Sequence, residues 1–122
     1  MKTYTVLYTG EDEQSHFREE ELTYSKQYPE LDNQIFRSQE FPAKCCKLWT
    51  VAADEEFVWV NAPCKQFIQV MSGRIEIEVG SGDKRTFGSG HLLWVEDCTG
   101  QGHITRVLED VVALIVMCED NV

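Results

Sequence analysis

Residues 66–79 read QFIQVMSGRIEIEV. In the second half Ile75, Ile77 and Val79 alternate with Arg74, Glu76 and Glu78. A period of two puts one face of a strand in a dry interior and the other in water. The first half, 66–72, is rich in apolar residues that suit a pleated surface. The stretch is therefore expected to be a strand, a turn at Gly73, and a second strand.

Outward from this centre, the chain continues in the same manner. Toward the C-terminus, Gly80-Ser81-Gly82-Asp83 forms a turn before a strand at 84–87. Gly88-Ser89-Gly90 turns into a strand at 91–96, and Thr99-Gly100-Gln101-Gly102 is a loop before strands at 103–108 and 111–118. Toward the N-terminus, strands are expected at 57–61, 47–52, 34–41, 16–24 and 3–9. They are separated by Ala53-Asp54-Glu55-Glu56, Pro42, a loop at 27–33 and the run Gly10-Glu11-Asp12-Glu13. The segment 16–24 also carries Arg18-Glu19-Glu20-Glu21, which would suit a helical turn. About ten short strands with turn residues between them and no long helical pattern indicate an all-β sandwich or barrel. The apolar run 111–118 is expected to be buried on both faces, or on one face and at a subunit contact.

The totals agree with one folded domain covering residues 1–122. A chain of 122 residues has room for one core. A hydrophobic fraction of 43%, with three prolines and eight glycines, is that of a globular protein. The formal charge of −10 repels phosphate backbones and anionic lipid, so neither nucleic acid nor membrane is an expected partner. Met1-Lys2-Thr3-Tyr4-Thr5-Val6 does not open an apolar export signal, and no window is long enough to span a bilayer. The five cysteines (Cys45, Cys46, Cys64, Cys98 and Cys118) are odd in number and form no CxxC pair. Free thiols in a reduced, cytoplasmic setting are the expectation.

The segment 59–107 resembles the cupin superfamily. Its residues Val60-Asn61-Ala62-Pro63-Cys64-Lys65-Gln66-Phe67, Met71-Ser72-Gly73, Phe87-Gly88-Ser89-Gly90-His91 and Glu96-Asp97-Cys98-Thr99-Gly100-Gln101-Gly102-His103-Ile104-Thr105-Arg106 are similar to the motifs of small bacterial-type cupins. The resemblance implies a cupin double-stranded β-helix, the jelly-roll barrel. It also implies four inward positions that in the family hold a metal through three His and one Glu. Here those positions carry Val60, Ala62, Gln66 and His103, and Val107 stands where the second motif has Asn. Val and Ala donate nothing to an ion, and a neutral amide is a poor ligand for Fe, Mn, Ni or Zn. No metal site and no cofactor are therefore assigned. A substitute ligand set from Cys64, His91, Cys98 and His103 has suitable residue types but no recognised spacing.

Side-chain alternation extends this reading. If 60 and 62 face inward, Gln66, Ile68 and Val70 do too, and Phe67, Gln69 and Met71 face out. Gln66 and His103 then meet an apolar wall, which suits a small organic ligand. His103 is the candidate catalytic residue, able to move a proton near neutral pH, or else a core histidine bonded to a neighbouring strand. The candidate substrate-binding residues are Gln66, Trp49, Trp94 and Cys64. Each has a plain alternative: a hydrogen bond to His103 for Gln66, core packing for the two tryptophans and a bystander thiol for Cys64. Glu96 and Asp97 read as solvated loop carboxylates or as an acid near the mouth. His16 and the acidic runs read as surface. The fold leaves the reaction open. One reading is a metal-independent isomerase, dehydratase or cyclase; a second is a non-catalytic metabolite-binding protein; a third is a metal-dependent, dioxygenase-like cupin with altered ligands. A second titratable group within reach of His103 separates the first from the second. A homodimer is expected through an apolar outer sheet face and an exposed N-terminal strand.

Overall fold

The computed structural model describes residues 3–120. Its ten strands are β1 (Thr3–Thr9), β2 (Ser15–Glu21), β3 (Ser25–Lys26), β4 (Phe36–Arg37), β5 (Ala43–Val51), β6 (Glu56–Val60), β7 (Gln66–Glu78), β8 (Lys84–Gly88), β9 (Leu92–Val95) and β10 (His103–Cys118). The protein is all-β. Among the described residues there is no helix, and so none long and apolar enough to cross a membrane.

Two long strands organise the rest. The first half of β7 pairs with β9 and with the second half of β10, which in turn pairs with β5. The second half of β7 pairs with β8 and with the first half of β10, which pairs with β6. One layer is thus β2-β1-β9-β7-β10-β5 and the other is β8-β7-β10-β6. The inner faces of the two layers form the main core, with Leu7, Val70, Ile75, Ile77, Leu93, Val107 and Val111 all shielded from water. The hydrogen-bonded path stays open, with β2, β5, β6 and β8 at its margins.

Several expectations change here. Gly73 does not end a strand: β7 runs through it and bends. It adopts φ of 83°, and a Cβ there would lie 2.1 Å from the Asp110 carbonyl oxygen. Glycine is needed because β7 and β10 touch backbone to backbone where both pass from one layer to the other. For the same reason 103–108 and 111–118 are one strand, with register shifts between Val107 and Val112 absorbing the bend. Its second half alternates buried and half-exposed positions instead of being dry on both faces. The strand expected at 34–41 shrinks to Phe36–Arg37, paired with Ser25–Lys26 in a separate ribbon. The N-terminal strand is not an exposed edge either: β1 lies between β2 and β9.

Candidate functional site

Between the layers is a cavity of about 260 Å³. Val60, Ala62, Gln66 and His103, which come from β6, the segment after it, β7 and β10, all line it. Ile68, Ile75, Ile77, Val95, Ile115, Trp49 and Phe57 supply most of its wall. The alternation of β7 explains this: Gln66 and Ile68 line the cavity and Val70 is buried beside it, whereas Met71 is exposed and Phe67 packs on the other face.

Gly102 delivers His103 to the site. Its φ is 79°, and a Cβ would lie 2.3 Å from the Val60 carbonyl oxygen. The loop can therefore lie flat against β6, where His103 pairs with Val60. His103 is 7% exposed. Its Nδ1 lies 2.5 Å from Asp97 Oδ2, a short, charge-assisted contact. Asp97 is fully buried. Its Oδ2 also accepts a hydrogen bond from Ser15 Oγ at 2.7 Å. The Asp97 carbonyl accepts from the Ala62 amide at 3.3 Å and from Asn61 Nδ2 at 3.2 Å. The carboxylate is thus held from β2 on one side and from the cavity wall on the other.

A carboxylate only accepts, so Nδ1 carries the imidazole hydrogen in the neutral ring and Nε2 is left with a lone pair. Among the described residues Asp97 Oδ1 is the one buried side-chain oxygen or nitrogen sealed from solvent without a partner. Among the described residues His103 Nε2 has no hydrogen-bond partner and is not sealed from solvent, and the His103 residue lines the cavity. A buried acid that orients an imidazole, with the far nitrogen free, can accept and return a proton.

The other candidates divide. Trp49 lines the cavity, with its ring 5.9 Å from that of Phe57. Trp94 does not. It lies on the outer face of its layer, against Phe67 and Phe41, and its Nε1 donates to Glu96 at 2.9 Å. Cys64 is buried but does not line the cavity, although Pro63 beside it does. The thiols near Cys64 are held protonated. Burial, followed by the Asp97 charge and Cys64, raises the Cys98 pKa, and burial raises that of Cys118. Of the two sequence readings of Asp97, a solvated loop carboxylate or an acid near the mouth, the structure rules out the first, because it buries the side chain completely. His16 is partly exposed and paired with Asp12, whose pKa that hydrogen bond lowers.

The residues do not fit the family's metal. Val60 and Ala62 offer no donor, and the one histidine has its Nδ1 committed to Asp97. Cys64, His91, Cys98 and His103 are not gathered either. His91 Nδ1 accepts from the Gly88 amide at 2.7 Å beside an outer groove, and among the described residues no three His, Cys, Asp or Glu side chains are grouped to hold an ion.

Gly73, Gly90, Gly100 and Gly102 all adopt positive φ at the bends and turns of this two-layered, all-β topology. No protein-family model and no curated protein matches the chain. Among solved structures it is similar to a conserved protein of unknown function from Streptococcus pyogenes, with TM-score 0.48, 15% identity and coverage of 61% of this chain and 63% of that one. It is also similar to a cupin-2 domain containing protein from Shewanella frigidimarina, with TM-score 0.48, 24% identity and coverage of 61% and 69%. A protein from Neisseria meningitidis matches with TM-score 0.47, 16% identity and coverage of 59% and 71%. These likenesses concern overall shape alone.

Proposed function

We propose that the cavity binds a small organic molecule and that the Asp97–His103 pair moves a proton on it, as an isomerase, dehydratase or cyclase would. The observation that carries this reading is the contact of 2.5 Å between a wholly buried carboxylate and the one imidazole that lines the cavity. Burying an acid is expensive unless it is paired. A pair that served packing alone would have no need to put its histidine on a cavity wall. Gln66, on the same wall, is suited to orient a carbonyl or hydroxyl of the ligand.

The reaction class begins with removal of a proton, so exchange is a test that needs no named product. The protein is incubated in D₂O with a panel of small ketones, hydroxy acids and ring compounds, and deuterium incorporation is followed by NMR. Wild type is expected to label at least one compound at carbon, and His103→Gln is expected to lose that labelling. The mostly aliphatic wall favours a second reading, a metabolite-binding protein. Compounds that bind but never exchange would support it and remove the catalytic one.

We also propose that two copies associate through the outer face of the first layer. Leu48, on the edge strand β5, is 70% exposed, and Met71 and Val112 lie open on the same face. A monomer at high concentration in sedimentation would end this proposal, and Leu48→Asp is expected to shift a dimer toward that state.

A further inference from the structure

The chain carries 21 Asp and Glu residues, yet none of them is among the residues that line the cavity. The one formally charged side chain there is Lys47. It comes from the edge strand β5, where it pairs across β10 with Ile115, itself opposite Ile68 on β7. All three side chains share the inward face of the first layer. His103 faces the same space from the second layer. Among the described residues Lys47 has no ion-pair partner, although other lysines, such as Lys44 and Lys84, have one.

No acid stands on the lining itself, and the one carboxylate behind it, Asp97, is engaged by His103 and Ser15, so repulsion of an anion is least on the Lys47 side. An unpaired ammonium at one side gives that anion a partner. The lining also carries two aromatic rings, Trp49 and Phe57, with centroids 5.9 Å apart. Facing sheets lie about 10 Å apart, so a molecule touching both layers must be short. Flat rings suit such walls.

We infer that the ligand is a small ring-bearing carboxylate, its carboxylate at Lys47 and its reacting end at His103. This inference deepens the proposed proton-transfer function and rests on it. Lys47 is a binding residue for the charged end, and the proton transfer belongs to His103.

The test uses benzoate, phenylacetate and cinnamate, each beside its uncharged primary amide, with binding to the full chain measured by ligand-observed NMR and calorimetry. At least one acid is expected to bind about tenfold more tightly than its amide, the size of one charge-assisted hydrogen bond. Lys47→Met is expected to lower acid binding to the level of the amide, and Lys47→Arg to retain the preference. Lys47 is exposed on an edge strand, so both variants should fold, which thermal unfolding checks. Equal binding of acid and amide, or a preference that survives Lys47→Met, overturns the carboxylate inference and leaves the cavity reading standing. Failure of every ring compound, charged or neutral, to bind overturns the inference, while the cavity reading falls only if the ketones and hydroxy acids of the exchange panel also fail to bind.

Discussion

The two faces of the first half of β7 are built in opposite ways. Outside, Phe67 packs against Trp94 and Phe41, with ring centroids 4.6 and 4.8 Å away, and Cys118, Val6 and Val116 close the cluster. Inside, one residue to either side, Gln66 and Ile68 look into a cavity. The same strand therefore carries a filled face and a hollow one. Interiors usually pack to crystal density, because a void forfeits dispersion contacts on its lining. This chain places large aromatics from β7 and β9 on the outer face and leaves the space within. The aromatic cluster backs the strand that lines the hollow, which on the proposed reading is where a ligand sits.

This division can be broken by paired substitutions. Trp94→Ala is expected to reduce the free energy of unfolding by about 3–5 kcal/mol in urea titration, the usual range for removing a buried aromatic. Ligand affinity should hold at a denaturant concentration where the variant is folded. Ile68→Ala should lower stability less, by about 2 kcal/mol, because one side of this side chain already lacks packing partners. Its main effect should be on ligand affinity. If Trp94→Ala abolished binding while stability held, or Ile68→Ala proved the costlier change, the two faces would not divide packing from binding.

The contrast between the faces also marks how much the sequence discloses. Alternation at 66–79 reveals which side of β7 is inward, because the side-chain period of a strand is two and water punishes a slip. That positions 60, 62, 66 and 103 share an interior is what the resemblance to the cupin motifs implies, not what alternation shows. The same rule applied to 92–95 separates Trp94 from Leu93 and Val95, so the placement of Trp94 outside the cavity was legible. Two features were not. Gly73 has the look of a turn residue, and its true role, letting β7 touch the backbone of Asp110, depends on a strand far along the chain. Asp97 follows Glu96 at a strand end, like many solvated acids. Its burial depends on Ser15, Asn61 and His103, which meet it only after the sheet has formed. Local pattern discloses which face is dry. It does not disclose which polar group will find partners there.

The charge that Asp97 carries beside the hollow can be sharpened by the thiol next to it. The Cys98 pKa is raised first by burial and then by the negative charge of Asp97. Only the thiolate is alkylated, so Cys98 is expected to react with iodoacetamide slowly near neutral pH, and faster as pH climbs above the usual thiol range. Asp97→Asn keeps the shape and removes the charge. Labelling of Cys98 in that variant, resolved from Cys45 and Cys46 by peptide mass spectrometry, should be modestly faster at a fixed pH. The acceleration is small because burial, the larger cause, is retained. An unchanged rate in a folded variant would mean that burial alone raises the Cys98 pKa, and that the Asp97 charge does not reach the thiol.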